Sequence, residues 1–100
     1  MDYEVAWTEQ ATSDLEEITT FISQTSPSAA ERIANAIVDR VSLLRTVPLM
    51  GAIYPSGSAG RHRFVVSGKY RIFYRVQEDE ERVEILCVRH HARQDPELPD

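Results

Sequence analysis

Five basic side chains fall in one stretch, Arg61, Arg63, Lys69, Arg71 and Arg75 of the run RHRFVVSGKYRIFYRV, with no acid among them. His90, His91 and Arg93 follow near the C-terminus. Guanidinium groups can stabilise a phosphorane or grip an anionic surface, and an imidazole that titrates near neutrality can give up a proton to a leaving oxygen. RNA cleavage by general acid–base chemistry is therefore the enzymatic reading. It needs a base for the ribose 2′-hydroxyl, cations for the phosphorane and an acid for the leaving group. Arg61, Arg63, Arg71 and Arg75 can supply the cations, and His90 or His91 the acid. The base is missing, because the connection 46–60 holds no carboxylate, histidine or lysine. The competing reading makes the arginines one solvated strand face, with His90 and Arg93 at a strand end bonding the tail.

Other chemistries fare worse. His90 and His91 are adjacent, so on a strand they point to opposite faces and cannot readily share an ion. Cys87 and His91 lie on one side of a strand but about 13 Å apart. No metal site and no cofactor are expected. The GSAG segment at 57–60 has neither the following lysine nor the helix start of a phosphate loop. Cys87, the single cysteine, reads as a core residue rather than a nucleophile.

The elements that must position these residues follow from periodicity. Tyr3, Val5 and Trp7 alternate as on a short strand, and Thr8 stands where a helix N-cap would. Ala11, Leu15, Ile18, Phe21 and Ile22 recur at helical spacing, with Asp14, Glu16 and Glu17 off the stripe. Two start signals overlap next: Ser26 capping with Pro27 at the first helical position, or Ser28 and Glu31 as a capping box. A second helix then carries Ala30, Ile33, Ile37, Val41 and Leu44 on one face and ends by Val47, before Pro48. The short link implies an antiparallel helical hairpin.

Residues 48–60 read as an irregular connection. From Arg61 the period becomes two, with His62, Phe64 and Val66 opposite Arg61, Arg63 and Val65. Ser67-Gly68-Lys69 is a turn. Tyr70, Ile72, Tyr74 and Val76 then share one face of a strand, and Arg71, Phe73 and Arg75 the other. After an acidic turn at 78–81, a strand over 82–89 sets Val83, Ile85, Cys87 and Arg89 opposite Glu84, Leu86, Val88 and His90. The predicted class is α+β, in the order β-α-α-β-β-β, with the hairpin packed on one face of a small twisted antiparallel sheet. The arginines are expected on the other face. Residues 1–96 form one domain and 97–100 a mobile tail.

Length and charge bound the partners. One hundred residues bury roughly two-thirds of the unfolded surface, so one domain folds without a disulfide or metal. The apolar runs are too short to span a bilayer, the N-terminus is unlike a secretory signal, and a lone cysteine suits a reducing cytoplasm. The net charge of −5 divides into −5 over residues 1–60, +5 over 61–76 and −5 over 77–100. Such a chain is a poor general polyanion binder but can hold an anionic partner locally.

Several of these residues recur in one order: Thr8, Ala11, Asp14-Leu15 and Ile18; Pro48 and Gly51; Arg63; Tyr70-Arg71-Ile72 and Tyr74; Val88, His90, Arg93 and Asp95-Pro96. The pattern, over about residues 3–96, resembles the RelE/ParE superfamily, the toxins of type II toxin–antitoxin modules. The resemblance implies a helical hairpin against an antiparallel sheet, and a small antitoxin, ParD-like or similar, whose C-terminal segment wraps the toxin. It implies one of two targets. RelE-like members cleave mRNA in the ribosomal A site; ParE-like members poison DNA gyrase. Arg71 matches the strand position of an active-site arginine in ribonuclease members, and His90 falls near their C-terminal histidine. The chain departs from them in lacking a carboxylate or lysine over 46–60 and a tyrosine after Val88, and in being acidic. The implied function is gyrase poisoning, with Arg61, Arg63, Arg71, Arg75, His90 and Arg93 as target-binding candidates. The alternative is a ribosome-dependent endoribonuclease using Arg71 and His90.

Overall fold

A computed structural model describes residues 2–55 and 62–99. The chain runs β1 (Glu4–Trp7), α1 (Glu9–Ser23), α2 (Pro27–Ser42), β2 (Ala52–Ile53), β3 (His62–Ser67), β4 (Tyr70–Gln77) and β5 (Arg82–His90), with a turn of 3-10 helix over Leu43–Arg45 and another over Glu78–Glu80. Both helix starts are capped by side chains. The Thr8 hydroxyl accepts from the Ala11 N–H at 3.2 Å, and the Ser26 hydroxyl from the Ala29 N–H at 3.2 Å. Of the two start signals before the second helix, Ser26 with Pro27 is used. Proline lacks the N–H that an N-terminal turn would leave unbonded, and its fixed φ is already helical.

The two helices cover one face of a five-stranded sheet in the order β1-β5-β4-β3-β2. The hairpin on one sheet face is as expected. Two details of the sheet differ from the sequence reading. β1 pairs with β5 in parallel, so the sheet is mixed, because the helical hairpin carries the chain across the face before β2 begins. The connection also contains a short strand, β2, which pairs antiparallel with β3 through Ala52–Phe64 and Ile53–Arg63. Two exposed residues between turn formers are too few to give a period-two signal.

The core on the helix side is built from Ala11, Ile37, Val41 and Leu44 against Val65, Ile72, Tyr74, Val76, Val83, Ile85 and Val88. β3 and β4 join through a two-residue turn in which Gly68 has φ of 58°, the left-handed conformation that glycine adopts without steric cost. No helix among the described residues is long and apolar enough to cross a membrane.

The register of β5 holds the most consequential departure. Phe73 pairs with Cys87 but Tyr74 pairs with Ile85, which leaves Leu86 as an extra residue in β5. Such a bulge reverses the alternation beyond it. Val83, Ile85, Val88 and His90 therefore face the helices with Val76, Tyr74, Ile72 and Tyr70. Glu84, Cys87 and Arg89 lie on the outer face with Arg75, Phe73 and Arg71.

The start of α1 holds the bulge in place. The Thr8 hydroxyl donates to the Ile85 carbonyl at 2.7 Å, and the Thr8 N–H to the same oxygen at 3.1 Å. Asp14, nearly two turns further on, accepts from the Val88 N–H at 3.0 Å. These polar residues bracket Leu86 from both sides: the Thr8 contacts continue the β1–β5 pairing at Ile85, and Asp14 takes a β5 N–H beyond the last β1 partner.

Candidate functional site on the outer face of the sheet

The face away from the helices is not a solvated strand surface. Phe73 is fully buried and Cys87 nearly so, although neither belongs to the helix-side core. Tyr54, just after β2, meets Phe73 edge-on at 5.0 Å between ring centroids and Phe64 at 6.5 Å, and Phe64 and Phe73 lie 5.6 Å apart. The Arg71 guanidinium sits over two of these rings, 5.0 Å from the Phe73 centroid and 5.7 Å from that of Phe64. Aromatic pairing and cation–π contact each add specificity beyond area burial.

Carboxylates reach this face from outside the basic stretch. Arg71 Nη2 donates to Asp95 Oδ1 at 2.7 Å. Arg75 holds Glu84 Oε1 with Nη2 at 2.6 Å and Nε at 3.1 Å. The segment after β5 crosses the face: the Tyr54 hydroxyl donates to the Pro96 carbonyl at 3.0 Å, and Pro96 is buried. Burial raises the Tyr54 phenol above its usual value, with the Asp95 charge adding in the same direction. Burial likewise pushes the Cys87 thiol up to about 11, against a smaller opposing pull from Arg89. The thiol therefore stays protonated near neutrality and is no nucleophile.

The sequence-named candidates separate by face. Arg71 and Arg75 share the outer face. Arg63 does not: it lies across from Tyr74 on the helix side, where Nη1 donates to the carbonyls of Gly51 at 2.9 Å and Leu49 at 3.2 Å. Tyr74 completes this clamp, donating its hydroxyl to the Pro48 carbonyl at 2.8 Å and accepting from the Gly51 N–H at 2.9 Å. A Cβ at Gly51 would stand 2.5 Å from the Tyr74 hydroxyl oxygen and 2.7 Å from the Phe64 carbonyl, so only glycine fits. Burial raises the Tyr74 phenol too. The expectation that the arginines share one face thus fails at Arg63, which fixes the connection. Arg61 lies outside the described residues.

His90 is turned the other way from Arg71 by the bulge. Its ring packs edge-on against Tyr70 at 5.4 Å, stacks on His91 at 4.9 Å and accepts from the Ala92 N–H through Nδ1 at 3.1 Å. With Arg93 it borders a cleft of about 650 Å³ between α1 and the end of β5, lined also by Asp14, Glu17, Phe21 and Tyr70. Arg71 and His90 therefore do not converge on one scissile phosphate. Among the described residues, no three His, Cys, Asp or Glu side chains are grouped as a metal site requires.

Residues that sequence reasoning passed over complete the face: Tyr54, Phe64, Phe73, Glu84, Arg89 and Asp95. Phe73 alternates with Arg71 and Arg75 along β4, which was a signal for one aromatic and cationic face. Asp95-Pro96 carried only the signal of a strand terminator.

Comparison with known proteins places this arrangement. The toxin of a chromosomal ParDE system from P. aeruginosa superposes with a TM-score of 0.71 at 24% identity, over 88% of this chain and 95% of that one. The RelBE2 toxin–antitoxin complex of Mycobacterium tuberculosis gives 0.68 at 27% identity, over 90% and 99%. A double mutant of the E. coli toxin RelE in the free state gives 0.63 at 17%, over 88% and 82%. The fold is thus that of the RelE/ParE superfamily of toxins. The model of the ParE toxin of type II toxin–antitoxin systems matches residues 5–95, and the chain belongs to that family. No curated protein matches it in sequence.

Proposed function

We propose that this toxin arrests growth by poisoning DNA gyrase through protein–protein contact, and that a cognate antitoxin neutralises it. The observation that carries the reading is the bulge at Leu86, which sends His90 to the helix side and leaves Arg71 on the outer face. An imidazole and a guanidinium on opposite faces cannot act together as acid and phosphate clamp. The outer face instead offers packed rings with arginines already set in carboxylate contacts, the chemistry of a protein-binding surface. Arg71 and Arg75 are its target-binding candidates, whereas Arg93 borders the cleft along α1 with His90. A supercoiling assay with purified gyrase tests this: inhibition or trapped cleaved DNA, reversed by the antitoxin, supports it. Unimpaired supercoiling by a folded, growth-inhibiting sample overturns it.

One observation favours a second reading. Asp95 brings to Arg71 the carboxylate that 46–60 lacks, so a ribosome-dependent endoribonuclease would use Asp95 as base beside Arg71, without His90. A-site mRNA cuts that vanish in Asp95→Asn and persist in His90→Ala would establish it.

The antitoxin has distinct places to dock. Phe21 is 75% exposed at the end of α1, and Leu43, Val47, Leu49 and Ile53 are exposed where the hairpin meets β2. β2 is a short edge strand of exposed residues. An antitoxin segment that folds on binding can add a helix to the first and a strand to the second. The acidic stretches at 14–17 and 78–81 can receive its basic residues. A toxin that fails to bind the product of its neighbouring gene would remove this partner.

A further inference from the structure

The host and the guest of the Arg71–Asp95 pair are unequally built. The Arg71 side chain is only 16% exposed, whereas that of Asp95 is 64% exposed. Arg71 is fixed from below by Phe64 and Phe73, and its Nε is buried without a hydrogen-bond partner among the described residues. Asp95 is the carboxylate that meets the Arg71 guanidinium. The cationic half is thus built into the sheet, and the anionic half hangs on a strap.

The strap holds by few contacts. At its root the His91 N–H donates to the Lys69 carbonyl at 2.8 Å and the Arg93 N–H to the His90 carbonyl at 2.9 Å. Ala92 through Asp95 are exposed. Its far end is held by the Asp95 carboxylate, the buried Pro96 ring and the Tyr54 hydroxyl on the Pro96 carbonyl. A carboxylate followed by a buried apolar ring and an accepting carbonyl is a short peptide recognised in cis.

We propose that the outer face carries a carboxylate-binding peptide site, formed by Arg71 on the Phe64 and Phe73 rings beside Tyr54, which this chain's own Asp95-Pro96 strap fills, and that an acidic polypeptide segment engages the face by displacing it. This deepens the proposed function and rests on it only for which protein brings the acidic segment. The site itself is read from the contacts of the strap. A tethered strap competes at an effective concentration of roughly millimolar, so a free peptide meets an occupied site in the native chain and an open one when the strap is released.

The test is a titration of the full chain with a labelled pentapeptide copying residues 94–98, QDPEL. The Asp95→Asn chain binds it about tenfold or more tightly than the native chain, Tyr54→Phe gives no gain because the hydroxyl serves strap and peptide alike, and Arg71→Gln abolishes the gain in the Asp95→Asn background. A peptide with Asn in place of Asp binds no better to the variant than to the native chain. Equal affinity of native and Asp95→Asn chains, both folded by circular dichroism, overturns the proposal. Competition by inorganic phosphate as strong as by the peptide, at matched ionic strength, overturns the assignment to a polypeptide. Gyrase takes no part in this titration. Inhibition of gyrase with no peptide binding would remove the strap mechanism alone, and peptide binding with no inhibition would remove the target alone.

Discussion

The two faces of one sheet solve burial in different ways. On the helix side, Ile72, Tyr74, Val83 and Ile85 are covered by two amphipathic helices, with Ile37 and Leu44 filling the layer between. On the outer side no helix is present among the described residues, yet Phe73 is equally inaccessible. There the cover is a ring from the β2 segment, a guanidinium laid over two phenyl groups and a strap from the C-terminal segment. The first face is held by apolar area that nothing short of unfolding removes. The second is held partly by polar contacts at its rim, which a partner can replace one for one. On the proposed reading, stability belongs mainly to the helix side and recognition to the outer side.

Ile72 and Phe73 make the sharpest test, because they are neighbours on β4, both fully buried, on opposite faces. Ile72→Ala should destabilise by about 3 kcal/mol, a cavity cost, and lower the melting temperature by roughly 15 °C. Phe73→Leu should cost only about 1 kcal/mol, since its surroundings can shift. It should nevertheless abolish toxicity at a temperature where both variants are folded. Equal stability losses, or toxicity that merely follows stability, would erase the distinction between the faces.

Cys87 reports whether the outer face is dry. Its thiol is raised from 9.0 to about 11 by burial, so between those values the folded chain keeps a proton that the unfolded chain has lost. This contribution is complete below pH 9 and disappears as pH rises through 11, for a total of about 3 kcal/mol. Denaturant midpoints at pH 8 and 10.5 should fall less for Cys87→Ala than for the native chain. Some slope will remain, because burial raises Tyr54 and Tyr74 in the same sense. An unchanged slope in the variant would mean that water reaches the thiol beneath the strap.

Much of this was legible in the residues, and the limit of legibility is a single one. The helical stripes, the caps at Thr8 and Ser26, the Gly68 turn and the alternation along β4 are local, and local sterics set them. The alternation along β5 was read straight through Leu86, because a bulge leaves no mark in a run of apolar residues. Its cause lies 78 residues earlier, at Thr8, and 74 residues before Val88, at Asp14. The sorting of Arg89 and His90 to opposite faces depends on that non-local contact. Asp95 was missed for a similar reason: its partner is 24 residues away on another strand.

Asp14→Ala tests that cause. Without the carboxylate the Val88 N–H loses its acceptor, a cost of about 1–2 kcal/mol. Amide exchange should accelerate at Val88 more than at Val83, which lies before the bulge. If β5 re-registers, the His90 ring leaves Tyr70 and its NMR signals lose the ring-current shift of that contact. Identical exchange at both amides would show that the bulge stands without its carboxylate and that the outer face owes nothing to α1.

The smallest expected change in stability falls at Asp95. Its carboxylate is mostly in water, so the ion pair with Arg71 is screened, and Asp95→Ala should lower stability by less than about 1 kcal/mol. The same substitution should alter what the outer face binds more than any change on the helix side. That inversion separates a latch from a structural clamp. A clamp gives stability and function that fall together, whereas a latch lets stability barely move while the site opens. Melting curves of Asp95→Ala beside Ile72→Ala, taken with growth inhibition by each, decide it. A large loss of stability at Asp95 would mean that the strap is part of the core, and that the outer face is no more separable from the fold than the helix side.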